Sequence, residues 1–163
     1  MPAKLDMKAA IWAGIIAGVV FMMLEMVLVA TVGGGSPWGP PRMIAAIGMG
    51  KDVLPPPATF DLGVMMVAMA IHFVLAILLG IILGLIISRW KLGLMASIGV
   101  GAVFGLVVYL VNFYGSTALF PWFAMARTPI TLMTHVIFGA VLGWSYHVLA
   151  VRHFVSRGVT DAT

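Results

Sequence analysis

Residues 62–87 read LGVMMVAMAIHFVLAILLGIILGLII, and no charged side chain interrupts them. A helix of about 20 residues crosses a hydrocarbon core of about 30 Å, so this stretch is long enough to span a membrane. Three further stretches have the same apolar character: residues 9–31, 92–114 and 129–151. We therefore predict an all-α integral membrane four-helix bundle that forms a single transmembrane domain over residues 1–163.

The composition agrees with a membrane protein and excludes several functions. Hydrophobic residues make up 63% of the 163 residues, charged residues 9%, and the mean hydropathy is +1.16. The absence of cysteine excludes disulfides, thiolate metal sites and cysteine nucleophiles. Because the basic residues lie at helix ends and not in a patch, we expect no binding of nucleic acid. No nucleophile with a base, phosphate loop or pair of carboxylates is recognisable, so we expect no enzyme.

Basic residues are distributed unequally between the two ends of the predicted helices. The positive-inside rule places the richer side in the cytoplasm, and both termini belong to that side. The richer side carries Lys4, Lys8, Arg89, Lys91, Arg152 and Arg157, and the other side carries Arg42, Lys51 and Arg127.

The first outer loop has proline and glycine clusters at both ends of an amphipathic stretch, residues 42–54. This pattern predicts a short helix that lies in the membrane interface. Four tryptophans stand near the predicted surfaces, where interface anchors are expected: Trp12, Trp38, Trp90 and Trp122.

An internal repeat relates the first two predicted membrane helices to the last two. Each outer loop carries Pro-Trp followed by an arginine, as PWGPPR at 37–42 and PWFAMAR at 121–127. Both hairpins enter from the same side, so the repeat would be parallel. After each loop, a histidine opens a series at steps of four: His72, Ala76, Gly80 and Gly84, then His135, Gly139, Gly143 and His147.

Small residues at steps of four also occur in the other two helices, and such ridges let membrane helices approach closely. The ridges lie mostly in the half of the bundle near the termini, which we expect to be tightly packed. They comprise Ala10, Gly14 and Gly18 in the first helix, and Gly93, Ser97, Gly101 and Gly105 in the third.

Polar residues follow on these ridges toward the outer side. At about 1.5 Å per residue, Glu25, His72, Tyr109 and His135 lie roughly 4 to 9 Å beyond their helix midpoints and share a layer. A carboxylate that faces lipid is costly, so we expect Glu25 to lie in the interior with histidine as its partner. Asn112, Thr131 and Thr134 lie within reach of this layer.

The layer is compatible with several kinds of chemistry. A glutamate with two histidines can bind a transition metal, relay protons, or form a hydrogen-bonded pair that fixes helix register. Two facing histidines can also bind haem b iron axially. Methionines near His72 and His135 suit Cu(I). In the purely structural alternative, each histidine donates to a backbone carbonyl and burial keeps Glu25 protonated.

Several segments resemble the YagU-like family of small bacterial inner-membrane proteins. They are AGIIAGVV at 13–20, PPR at 40–42, IHFVLAILLGIILGLI at 71–86, LFPWF at 119–123 and THVIFGAVLGWSYHVL at 134–149. The resemblance implies a four-helix protein of the bacterial inner membrane with an intramembrane histidine in the second and fourth helices, here His72 and His135. Members often carry a sodium:proline symporter label, and the family has a suggested link to acid resistance.

The leading hypothesis is a binding protein in which the polar layer holds a metal ion or haem. Its metal ligands would be Glu25, His72 and His135, and Tyr109 would join His72 and His135 around a cofactor. A second hypothesis is a structural accessory subunit that packs against copies of itself or a larger membrane complex, for which Gly101 and Gly139 would be essential. A third is a small proton or ion conduit that uses the same layer.

Overall fold

A computed structural model of the chain describes residues 4–160. Residues 1–3 and 161–163 of the predicted domain, and the side chains of residues 157–160 with Arg157 among them, lie outside the described part. The five α-helices are α1 (Met7–Thr31), α2 (Gly39–Met49), α3 (Leu62–Arg89), α4 (Leu94–Leu110) and α5 (Pro129–Thr160). Four helical segments are long and apolar enough to cross a membrane, formed by α1, α3, α5 and the stretch Leu94–Ala118. The predicted four-helix membrane bundle is therefore confirmed.

Local sequence signals explain where these helices begin and end. Asp6 and Asp61 cap α1 and α3, because their carboxylates accept from backbone N–H groups of the first turn at 2.9 Å. The short helix α2 starts at Gly39, earlier than predicted, since prolines are tolerated in a first helical turn. It ends before Gly50, which has a φ of 84° that favours glycine.

The end of the bundle that carries both termini and the α3–α4 turn, the terminal side, is closely packed. Its core consists of small and aliphatic residues from α1, α3 and α5 around the fully buried Tyr146. The Tyr146 hydroxyl accepts from the Asp6 N–H at 3.2 Å and hydrogen-bonds to the Ser88 hydroxyl. Asp6 Oδ2 in turn accepts from His153 Nδ1 at 3.0 Å. One tyrosine thus joins three helices, and the expected tight packing of this half is confirmed.

Two helix hairpins make matching contacts at their small residues. In the first hairpin, α1 with α3, a Cβ added to Gly14 or Gly80 would lie 2.6 Å from a carbonyl oxygen of the facing helix. In the second hairpin, α4 with α5, added Cβ atoms at Gly101 and Gly143 would collide with facing carbonyls in the same way. Gly93 belongs to no ridge, because it precedes α4 and a Cβ added there would meet no other helix. The paired contacts agree with the repeat seen in the sequence.

The two hairpins meet mainly along one edge, with a smaller contact between α3 and α5 at Ser88 and Tyr146. Helix α1 packs extensively on α5, and we call this junction the closed seam. The junction related to it by the repeat, between α3 and α4, has very few contacts although the two helices are consecutive. We call it the open seam. The bundle is therefore a row of helices in the order α3, α1, α5, α4, bent so that its ends nearly meet.

Candidate functional site

A cavity of about 550 Å³ lies between the helices on the side opposite the termini. Its walls are mainly aromatic and aliphatic, with contributions from Phe21, Phe113 and Phe138. Helix α2 and the segment Pro121–Ala126 cover it, and we call this end the roofed side. Such a volume is typical of small-molecule sites. The polar lining residues are Glu25, Ser36, His72, Asn112, Ser116, Thr128, Thr131 and His135.

Glu25 is buried and is held by hydroxyl groups of α5. Its Oε1 accepts from Thr131 Oγ1 at 2.8 Å, and its Oε2 accepts from Thr134 Oγ1. Thr128 continues this chain with a hydroxyl 3.1 Å from that of Thr131. Among the described side chains, those of residues 4–156, none forms an ion pair with Glu25. The predicted histidine partner of Glu25 is wrong, because threonines lie closer on the facing helix.

The two cavity histidines each hydrogen-bond to a backbone carbonyl. His72 Nε2 donates to the Gly18 carbonyl at 2.9 Å, and His135 Nδ1 donates to the Thr131 carbonyl at 2.8 Å. A carbonyl oxygen only accepts, so these ring nitrogens carry the hydrogens. In a neutral imidazole the second nitrogen is a lone-pair acceptor, here Nδ1 of His72 and Nε2 of His135.

These second ring nitrogens are accessible from the cavity. In the part of the chain that is described, only the Ser145 hydroxyl is a buried side-chain polar atom without a partner. The second ring nitrogens of His72 and His135 have no hydrogen-bond partner among the described residues, and they are not fully buried. The carbonyl contacts match the structural alternative for the histidines, and both rings still offer an acceptor to a ligand.

Phe21 packs against both cavity histidines. Its ring centroid lies 5.7 Å from that of His72, in a stacked arrangement, and 4.7 Å from that of His135, edge to face. The same aromatic ring therefore contacts both histidines. Across the described residues, no group of three histidine, aspartate or glutamate side chains could hold a metal ion. The predicted site of Glu25, His72 and His135 is not brought together.

Tyr109 and Asn112 occupy different surroundings on the third membrane segment, Leu94–Ala118. Tyr109 is buried against the rings of His135 and Phe113, at 5.7 Å and 5.2 Å, and does not line the cavity. Asn112 does line it, and its side-chain amide has no partner among the described residues. It lies in a π-helical turn, Val111–Gly115, and such turns are frequent at functional sites.

The roof of the cavity was only partly visible in the sequence. The two outer segments are joined by a hydrogen bond from Trp122 Nε1 to the Met43 carbonyl at 3.2 Å. Met43 and Ile47 of α2 pack with Phe120 and Phe123 over the cavity. Trp122 is thus more than an interface anchor. The aromatic residues escaped prediction because apolar side chains on membrane helices carry no signal of which ones face an interior space.

No protein-family model, no curated protein and no solved structure matches this chain. The class that the fold defines is a small multi-pass membrane protein of four helices with an internal cavity.

Proposed function

We propose that the protein is a membrane-embedded binding protein, without catalysis, for a small and mainly apolar organic molecule that carries a hydroxyl or amine group. The observation that carries this proposal is the cavity of about 550 Å³, with aromatic walls and a few convergent polar groups. His72 and His135 each keep one ring acceptor free beside it. A donor on the ligand would satisfy an acceptor that otherwise faces an apolar space.

Two matched probes test the need for a donor. In lipid nanodiscs, para-hexylphenol should bind more tightly than para-hexylanisole, which has the same hexylphenyl body but a methyl group in place of the hydroxyl hydrogen. The expected difference is about fivefold, the size of one net hydrogen bond. One of the two variants His135→Leu and His72→Leu should abolish the difference in affinity between the probes, because that histidine accepts from the ligand. His147→Leu on the terminal side should preserve the difference. Equal binding of both probes would contradict the proposal.

Filling the cavity tests whether the probes bind there. Val108 lines the cavity, while the adjacent Val107 is 48% exposed on the outer surface of the same helix. We expect Val108→Trp to abolish probe binding and Val107→Trp to leave it intact, with both variants eluting as folded protein. Binding that survives Val108→Trp would place the probe elsewhere.

A second candidate ligand is haem b or a single metal ion held by His135. Histidines that bind metals usually donate their other ring N–H to a carbonyl or carboxylate, and His135 makes such a contact with Thr131. The absorption spectrum of purified protein, oxidised and then reduced, tests this directly. A Soret band lost in His135→Ala and kept in His147→Ala would support haem, and stoichiometric metal without that band would support an ion.

The remaining hypotheses have distinct signatures. An accessory subunit would keep its complex when the cavity is filled by Val108→Trp. A conduit would conduct protons into liposomes in a manner that Glu25→Gln abolishes. Membership of the YagU-like family and a location in the bacterial inner membrane remain predictions. Detection of the native protein in fractionated membranes would test the location.

A further inference from the structure

The open seam leads into the cavity. Leu75 and Leu79 of α3 line the cavity from one side of this seam, and Val108 and Asn112 line it from the other. Leu75 is nevertheless 46% exposed. A side chain that is both a cavity wall and part of the outer surface marks an edge of an opening.

The other junctions around the cavity are occupied by protein contacts. Helix α1 packs on both α3 and α5, and α4 packs most closely of all on α5. The contact between α4 and α5 brings backbone against backbone at Gly105 and His135, beside the cavity. The roof is joined through Trp122 and Met43. Among the helix junctions, the open seam is therefore the route with the least protein in the way.

The depth of the open seam determines what lies outside it. Leu75 is 13 residues from Leu62 and 14 from Arg89, the ends of α3. At 1.5 Å per residue it lies about 20 Å from either end, near the middle of a hydrocarbon core of about 30 Å. No charged residue occurs in the stretch 62–87. The opening therefore faces hydrocarbon and not water or headgroups.

We propose that the open seam is a lateral portal from the bilayer into the cavity, and that the ligand is a bilayer-soluble molecule with an apolar body and a hydroxyl or amine end. The ligand class rests on the proposed binding function, while the portal itself does not. The apolar body would pass between Leu75 and Val108. The polar end would reach His72, His135 or Asn112, which line the same cavity.

The departure from two-fold symmetry supports this assignment. Glu25 and Asn112 correspond in the repeat, because each lies seven residues beyond a ridge glycine, Gly18 or Gly105. Helix α1 stays regular through Glu25, whereas the third membrane segment changes to a π turn at Val111. The chain thus packs one seam and widens the other at the level of the cavity.

Spin labels test the portal without any ligand. The chain has no cysteine, so a single cysteine at Leu75 can carry a nitroxide, with Leu78 as a control on the lipid-facing surface of α3. A portal to lipid predicts that both labels collide strongly with oxygen and weakly with a water-soluble nickel chelate. Strong collisions with nickel at Leu75 would show an opening to water and overturn the proposal. Weak collisions with both reagents would mean that another chain covers the seam, which also overturns it.

A reversible bridge across the seam tests its use by a ligand. Cysteines at Leu75 and Val108 can be joined by a disulfide-containing bis-maleimide. The uptake of para-hexylphenol from vesicles is then measured. We expect uptake to be lost on bridging and restored when dithiothreitol cleaves the reagent. The matched control carries the same reagent on Leu78→Cys alone and should take up the probe normally. Uptake that persists through the bridge would overturn the portal while leaving the binding function intact, and no uptake by the protein without these substitutions would overturn the binding function.

Discussion

The closed and open seams of this bundle occupy corresponding places in a two-fold repeat, yet they are packed very differently. At the closed seam, α1 meets α5, and the core on the terminal side is filled by residues such as Ala13 and Leu142 that are fully buried. At the open seam, α3 and α4 hardly touch, and the space between them continues into the cavity. Similar sequences on both sides of a repeat therefore do not require similar interfaces.

A membrane bundle can leave a space between helix surfaces that lack small residues and polar contacts. Lipid is as apolar as leucine, so helices associate through close packing and polar contacts and not through a hydrophobic effect. Small residues and the Tyr146 hydroxyl supply such contacts on the terminal side. Leu75 of α3 and Val108 of α4 offer neither a small residue nor a hydroxyl group, and their bulky side chains border the cavity.

The largest effect should come from separating α4 and α5. In Gly101→Leu the new side chain would overlap the Gly139 backbone, so we expect loss of folded protein; even Gly101→Ala should cost about 3 kcal/mol or more. Gly99→Ala, on the same helix with open space around it, is the control. Circular dichroism during denaturant titration in mixed micelles measures both. Equal stability of the two alanine variants would show that α4 and α5 are not in close contact.

Because the contact of Gly101 with Gly139 lies within one chain, it does not support the expected role of these glycines in assembly with other chains.

Truncating a leucine should distinguish the packed core from the open seam. Leu142→Ala removes a fully buried side chain and leaves a hole that neighbours cannot fill, at a cost of about 3 kcal/mol. Leu75→Ala at the open seam should cost much less, because lipid can occupy the vacated space. The same denaturant titration applies. Similar costs at both positions would mean that the seam is closed by protein.

Removing the Tyr146 hydroxyl should loosen the terminal side to a smaller extent. Tyr146→Phe keeps the ring but leaves the buried Ser88 hydroxyl and the Asp6 N–H without that partner. We expect a loss of about 1 to 2 kcal/mol. Thermal unfolding in detergent measures it, and a double variant with Ser88→Ala should recover part of the loss. A double variant less stable than Tyr146→Phe alone would contradict this account.

The smallest effect should arise at the roofed side, in the hydroxyl chain around Glu25. Thr134→Val keeps the shape of the side chain and removes one donor to the carboxyl group, so we expect a loss of about 1 kcal/mol. Thr31→Val, at an exposed position where the hydroxyl donates only to a carbonyl of its own helix, should have no measurable effect on thermal unfolding. A cost of zero at Thr134 would indicate that water or a ligand replaces the missing donor.

Much of the fold could be predicted because length and apolar composition identify membrane helices in a sequence. The spans, the existence of a short helix in the first outer loop, and the packing role of Gly14, Gly80, Gly101 and Gly143 all follow from local patterns; the bounds of the short helix, predicted near residues 42–54, are 39–49. The partners of Glu25 were harder, since several polar groups lie at the same depth. Thr131 and Thr134 were within predicted reach, but distance along a helix axis does not tell which side chains face each other.

The sequence by itself determined that four helices cross a membrane, that small residues bring them together in pairs, and that Glu25, His72 and His135 lie on the interior faces. These properties depend on spacing along one helix, which the sequence contains directly. Only the tertiary structure decided that the histidines bind carbonyls, that Glu25 binds threonines, and that a cavity lies between the helices on the roofed side. The physical reason is that a cavity is made by contacts that do not form, and which helices pack against each other depends on the whole bundle at once.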